Sequence, residues 1–135
     1  MGPAKVIVDA SAFLAILLDE PERQVMEDFL LFSPEKPMIS PVNFLEAAVR
    51  VDRLGSPEKS LKFDNLMHEL AIEIAPIDRE QALRAREAYQ RFGKGNHPAK
   101  LNLGDCFAYA LAKARGEPLL FKGGDFRQTD VEAAL

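Results

Sequence analysis

Four acidic residues stand where a chain of alternating strands and helices would gather them. Asp9 directly follows the apolar run Lys5-Val6-Ile7-Val8, and Asp125 follows Leu119-Leu120-Phe121 after the turn Lys122-Gly123-Gly124. Glu46 falls in the first turns of one expected helix and Asp105 at the start of another. Crowded carboxylates repel one another and hold on to protons unless a cation lies among them. Mg²⁺ and Mn²⁺ prefer oxygen ligands and relieve that repulsion. Such ions activate water and stabilise the charge that develops on a phosphodiester, so metal-assisted phosphodiester hydrolysis is the chemistry this set suits. No thiolate or imidazole cluster competes with it, because His68 and His97 are far apart in sequence and Cys106 is the one cysteine.

The elements that must position these acids follow from pattern. Lys5–Val8 reads as a buried strand, and Ala12–Leu18 as a helix too apolar for the surface. Pro21 is expected to open a second helix that Ser33-Pro34 ends, and Met38-Ile39-Ser40 is a brief second strand. Asn43 is the expected cap of a helix that stops at Gly55, and Ser56-Pro57 restarts the chain as the next cap. Ala71–Ala75 alternates like a strand, closed by Pro76. Asp78 then caps a helix over Arg79–Phe92, and Gly93–Leu103 reads as loop. Gly104-Asp105 begins a helix ended by Gly116, and Leu119–Phe121 is the fourth strand. Strands alternating with helices imply an α/β domain with a mainly parallel sheet. Helices returning to such a sheet start at the edge where strands end, which is where sites form, so all four acids are expected at one edge.

The 135 residues suit one domain spanning 1–135, and 47% hydrophobic content supplies a core, which excludes global disorder. A single cysteine excludes an intrachain disulfide and a zinc-ribbon framework and fits a reducing, cytoplasmic setting. No apolar run reaches the roughly 18 residues of a membrane span, and Met1-Gly2-Pro3-Ala4-Lys5 leads straight into a strand without a secretory signal. The net charge of −4 argues against nucleic acid until it is placed along the chain. Arg79 to Lys100 holds six bases and two acids, leaving −8 on the remainder. This basic stretch leads into Asp105, so Arg91, Lys94, His97 and Lys100 are the candidate phosphate contacts.

Each of these residues also has a plainer role. Asp9 or Ser11 can cap the following helix, Glu46 can face solvent, Asp105 can answer a helix dipole, and Asp125 can be a turn residue. The basic stretch can be a solvated helix face with Glu80–Arg84 support at i,i+4. Cys106, beside Asp105 in an apolar helix, reads as a small buried residue and not a nucleophile. Phe13, Leu14, Leu17, Leu30 and Leu31 can serve the core or a partner surface.

Together the motifs resemble the PIN-domain nucleases. Val6-Ile7-Val8-Asp9-Ala10-Ser11-Ala12 is similar to their opening strand and D-x-S. Ile39 to Glu46 is similar to their second motif, Leu101 to Ala110 to their third and Leu119 to Phe126 to their fourth. Arg91 to Phe107 is especially like VapC toxins of bacterial toxin–antitoxin pairs. The resemblance spans almost the whole chain, in the family's order. It implies a three-layer α/β/α, Rossmann-like fold and a Mg²⁺- or Mn²⁺-dependent endoribonuclease inhibited by a cognate VapB antitoxin. It also implies a homodimer and an RNA substrate. Carried over by position, Asp9, Glu46 and Asp105 would be catalytic metal ligands, Asp125 the fourth acid, and Ser11 a supporting hydrogen-bonding residue. One departure is that many relatives place an aspartate where this chain has Gly123.

Three other readings compete. A receiver-type signalling domain shares the α/β pattern and a Lys122 after the last strand, but lacks the acidic pair after strand one and a phosphoacceptor on a central strand. A haloacid-dehalogenase-like phosphatase would need a second acid in Asp9-Ala10-Ser11. A PIN-like module that binds RNA or protein without cutting remains the third, against which the retention of all four acids argues.

Overall fold

The computed structural model describes residues 4–135, so the expectation for Met1-Gly2-Pro3 lies outside the described residues. The described chain forms β1 (Lys5–Val8), α1 (Ala10–Leu17), α2 (Arg23–Phe32), β2 (Lys36–Ile39), α3 (Pro41–Asp52) and α4 (Pro57–Glu69). It continues through β3 (Glu73–Ile74), α5 (Arg79–Phe92), α6 (Leu103–Arg115), β4 (Leu119–Leu120) and a short 3-10 turn at Phe126–Gln128. The four strands lie in the order β3-β2-β1-β4 and every pairing is parallel.

The period-two alternation of β1 separates the layers. Val6 and Val8 point into a core shared with α1, α2, α3 and α4, whereas Ile7 points into a second core built with α5 and α6. Leu120 and Leu119 divide the same way. All five side chains are fully buried, and each such aliphatic group contributes roughly 1.5–3 kcal/mol. The result is the parallel α/β sheet that the sequence pattern implied, in the three-layer α/β/α arrangement that the resemblance implied.

The strand order places a switch point between β1 and β4. From β1 the chain winds outward through β2 to β3, then returns by α5 and α6 to add β4 on the other side of β1. Crossovers therefore diverge to opposite faces at this point, and their connections leave a crevice at the carboxyl ends of the strands. Asp9 stands at that end of β1.

Local chemistry fixed several ends as expected and moved others. Ser56 caps α4 with Pro57 at its first position, Asp78 caps α5, and Gly116 ends α6 in the left-handed region. By contrast α2 begins at Arg23, not at Pro21, with Glu22 making no side-chain cap bond. Ser40, expected in the second strand, instead caps α3 by accepting from Val42 N–H, with Pro41 preset for the first turn. That leaves Asn43 inside the helix, fully buried. The strand expected over Ala71–Ala75 pairs only through Glu73–Ile74, because this edge strand finds a partner on one side alone. Phe13, Leu17 and Leu30 are core, Leu14 is partly buried, and Leu31 is exposed.

Candidate active site

Three helix starts converge on the switch point, and each delivers one carboxylate. Asp9 is the N-cap of α1, Glu46 lies in the second turn of α3, and Asp105 lies in the first turn of α6. Since α3 covers one sheet face and α6 the other, Glu46 and Asp105 meet only over the sheet's edge, where the two helices touch. Asp9, Glu46 and Asp105 line one cleft of about 730 Å³ together with Ser11, Leu14, Val42, Leu45, Val49, Arg50, Arg53 and Leu103.

Asp9 is 4% exposed. Its Oδ2 accepts from Ser11 N–H at 3.0 Å and from Ser11 Oγ at 2.6 Å. Ser11 Oγ in turn accepts from Lys122 N–H at 3.0 Å, which ties the exit of β4 to the start of α1. The plain capping role of Asp9 is thus real, and it uses one oxygen. The other, Oδ1, is buried without a hydrogen-bond partner. Burial raises the pKa of Asp9 most, and the Glu46 charge adds to it, while the Ser11 bonds work the other way; the result is about 6.

Glu46 is held by a residue that the sequence pattern cast as a helix cap. Asn43 Nδ2 donates to Glu46 Oε1 at 3.1 Å and to the Gly104 carbonyl at 2.9 Å, bridging α3 to α6. Gly104 makes the approach possible: a β-carbon there would fall on the Glu46 carboxylate. The pKa of Glu46 is raised by burial first and by the Asp105 charge, with Asn43 opposing. Asp105 forms a capping box with Asn102: Asn102 N–H donates to Asp105 Oδ2 at 3.1 Å, and Asp105 N–H donates to Asn102 Oδ1 at 2.9 Å. Its other oxygen is left for the cleft. Burial raises Asp105 to about 6, with the charges of Asp9 and Asp125 adding and Asn102 opposing.

Asp125 is placed differently. It precedes the 3-10 turn, makes no cap hydrogen bond, and is exposed beyond the cleft's lining. It is near enough to Asp105 for its charge to be felt there. The missing acid at Gly123 has a conformational counterpart, since Gly123 has φ of 97°, a region that strains any residue with a side chain.

The basic residues chosen from sequence fall outside this cleft. Arg91 lies 3.8 Å from Asp130 and over the Phe92 ring. His97 Nδ1 accepts from Ala99 N–H at 3.0 Å and its ring packs edge-on against Phe92. Lys94 and Lys100 are exposed in the α5–α6 loop. Arg84 pairs with Glu80 as the i,i+4 spacing implied. Sequence reasoning passed over the cations that do line the cleft, Arg50 and Arg53. A signal existed: Asn43, Glu46, Arg50 and Arg53 are spaced −3, 0, +4 and +7, one helical face.

Cys106 is buried, and burial together with the Asp105 charge pushes its thiol up to about 11, so it is no nucleophile at neutral pH. Lys122 is engaged by Glu20 and Glu22 at 3.2 and 3.6 Å, away from the carboxylates, unlike a receiver-type lysine. Among the described residues, no three acidic, histidine or cysteine side chains already surround one point as ligands would. The three carboxylates nevertheless fit a hard divalent cation in kind. The donors are all oxygen, each is held above its ordinary pKa by burial and like charge, and Asp9 presents a buried oxygen that nothing satisfies.

A doubly wound parallel sheet with carboxylates from three elements at its switch point defines a class of small α/β domain with an acidic crevice. Comparison with known proteins places it more narrowly. The chain belongs to the PIN-domain family, whose model, "PIN domain", matches residues 6–132. It is 45% identical over 129 residues to "Ribonuclease VapC" of Mycolicibacterium smegmatis, covering 95% of this chain and 98% of that protein. Its fold matches Mycobacterium tuberculosis VapC20, described as a Sarcin-Ricin loop cleaving toxin, with TM-score 0.76, 15% identity, and 94% and 96% of the two chains covered. It also matches a chain of a toxin-antitoxin complex from Klebsiella pneumoniae, with TM-score 0.70, 18% identity, and 93% of each chain covered.

Proposed function

We propose that this protein is the toxin of a type II toxin–antitoxin pair, an endoribonuclease that hydrolyses RNA phosphodiester bonds with Mg²⁺ or Mn²⁺. The observation that carries this reading is the meeting of Asp9, Glu46 and Asp105 in one cleft, with Asp9 Oδ1 unsatisfied and Gly104 leaving room for the Glu46 carboxylate. Relatives named VapC ribonucleases, similar over nearly their whole length, support it.

Asp9, Glu46 and Asp105 would hold the cation, with Asp125 as an outer acid. When bound, the cation supplies a water nucleophile at neutral pH and offsets charge on the phosphodiester. The chain's own residues orient the donors. Ser11 fixes one Asp9 oxygen and leaves the other facing inward. Asn43 sets the Glu46 carboxylate against Gly104, and Asn102 fixes one oxygen of Asp105. With two of the acids raised to about 6, the free site takes up protons in mildly acidic solution that a cation would displace.

The partner on this reading is a cognate VapB-type antitoxin, supported by the fold's likeness to a chain in a toxin-antitoxin complex. The protein would act in the cytoplasm as a homodimer. Exposed Val25, Leu31 and Phe32 on α2 and Leu83 and Tyr89 on α5 offer apolar surface for such contacts. Among the described residues no helix is long and apolar enough to cross a membrane.

Purified protein should cut single-stranded RNA in Mg²⁺ or Mn²⁺ and stop in a chelator. Asp9→Asn and Asp105→Asn should each be inactive while remaining folded by circular dichroism. An inert wild type, or mutants that cut equally well, would overturn the assignment.

A further inference from the structure

The cleft's cations are two arginines on the same helix face as Glu46. Arg50 and Arg53 follow Glu46 by four and seven residues and line the cleft beside it, a span of roughly 10 Å along α3. An acid followed four residues later by a base ordinarily forms an ion pair on a helix. Here that pair is absent. Among the described residues neither Arg50 nor Arg53 lies within ion-pair distance of an acid. The reason is visible in the geometry: Asn43 turns Glu46 toward Gly104 and α6, away from Arg50. Two exposed guanidinium groups are thereby left open at the mouth of an acidic cleft.

Charge explains why such a site needs them. Three carboxylates repel a polyanion, and one divalent cation does not cancel them fully. The basic residues from Arg79 to Lys100 offer little help inside the cleft, since none of them lines it. Arg84 and Arg91 are, moreover, already paired with Glu80 and Asp130. The remaining walls, Leu14, Val42, Leu45, Val49 and Leu103, are apolar. Arg50 and Arg53 are then the groups in the cleft able to take phosphate oxygens, and guanidinium forks suit phosphate in a bidentate way.

We infer that Arg50 and Arg53 hold the RNA backbone on the α3 side of the scissile phosphate, as phosphate-binding residues and not as helix-terminal charges alone. The inference rests on the ribonuclease reading for its substrate but is read out by binding, which needs no turnover. A plainer role exists, because cations near a helix C-terminus stabilise it. The two roles differ in what substitution changes.

The test uses a labelled single-stranded RNA of mixed sequence, its affinity measured by fluorescence anisotropy from about 50 to 200 mM salt on the Asp105→Asn background. Each of Arg50→Gln and Arg53→Gln is expected to weaken binding about three- to tenfold. Each should also flatten the slope of log affinity against log salt by about 0.7. Arg50→Lys and Arg53→Lys keep the slope, and thermal melting of all four variants stays close to wild type. In the cleaving protein the paired glutamine variant raises KM by more than tenfold and lowers kcat far less. Unchanged affinity and slope in the paired glutamine variant overturn the inference. So does a result in which Lys94→Gln and Lys100→Gln flatten the slope and the arginine variants do not. Loss of affinity for an acidic antitoxin-like peptide, with RNA binding intact, overturns it as well. If the wild type cuts no RNA but slope and affinity still map to Arg50 and Arg53, the ribonuclease reading fails and the phosphate assignment stands.

Discussion

Two acidic sites in this molecule, built from the same chemical group, are opposite in character. Asp130 is surrounded by donors: Tyr109 Oη, Lys113 Nζ at 3.3 Å and Arg91 at 3.8 Å. Burial pushes its pKa up, but those bonds and charges outweigh it and hold the group below its ordinary value. Asp9, Glu46 and Asp105 sit among one another with few donors, and all three are raised. The first site has its countercharge within the fold and ties α6 to the C-terminal segment. The second has, among the described residues, no cation within ion-pair distance, and a buried asparagine and a glycine hold Glu46 turned from the arginines of its own helix. An acidic cluster with no ion-paired partner in the fold is disposed to take a cation from outside.

The strongest test of that contrast is to remove the charge from each site in turn. Asp9→Asn or Asp105→Asn should lower RNA cleavage by more than the roughly 10–100-fold that outer-shell changes cost at metal sites, measured as initial rates in Mg²⁺. Asp130→Asn should leave the rate within about twofold and change stability by about 1 kcal/mol or less, because the pair is partly exposed. Equal loss from Asp130→Asn would break the comparison.

Next in size are changes to the residues that hold Glu46. Gly104→Ala should lower cleavage about 10–100-fold by driving the carboxylate from its place, with little change in melting temperature, since a β-carbon there would meet only the far end of the Glu46 side chain. Asn43→Ala should cost about tenfold in rate and about 1–3 kcal/mol in stability, because it strands the Gly104 carbonyl and opens a void. A rate unchanged by Asn43→Ala while stability falls would assign Asn43 to packing alone.

A smaller effect separates the sites by pH. Folding raises Asp9 and Asp105 from 3.8 to about 6, so the folded state binds more protons than the unfolded chain between these values. Their contribution to stability is present in full below 3.8 and is lost as pH rises through about 6. Metal-free protein should therefore melt higher at pH 5 than at pH 7.5 by several degrees, and Asp9→Asn should raise the melting temperature at pH 7.5. The lowered Asp130 works in the other direction, with stability present above its unfolded value and lost at lower pH. Saturating Mn²⁺ should abolish most of the pH 5 to 7.5 difference. A melting temperature that rises steadily from pH 5 to 7.5 in the metal-free protein would contradict the burial and charge crowding assigned to the cleft.

Much of this site was legible along the chain because its parts are terminal features of local elements. An acid just past an apolar strand, or just inside a helix start, projects from the strand-end edge in any parallel α/β sheet. Asp9 and Asp105 belong to that class, and α5 begins and ends where Asp78 and Gly93 indicated. Asn43 is ambiguous for a local reason: Ser40 and Asn43 are both good caps, and only the β2 register with β1 decides where the helix starts. The basic stretch differs for another reason. Six bases close in sequence suggest one surface, yet none of them lines the cleft, and two are held in ion pairs, Arg84 with Glu80 in its own helix and Arg91 with Asp130 near the C-terminus.

By itself, the sequence determined the alternation of strand and helix, the two-faced burial of β1, and the placement of acids at element ends, all consequences of short-range pattern. The tertiary structure alone decided which side chains share a cleft. Asn43 and Gly104 are 61 residues apart and meet because α3 and α6 approach over the sheet edge. Arg50 and Arg53 line the same cleft as the acids because the rotation of α3 about its axis is set by the packing of Ala47 and Val51 into the core. Helix rotation and interhelical approach are properties of the packed whole, and no local spacing encodes them.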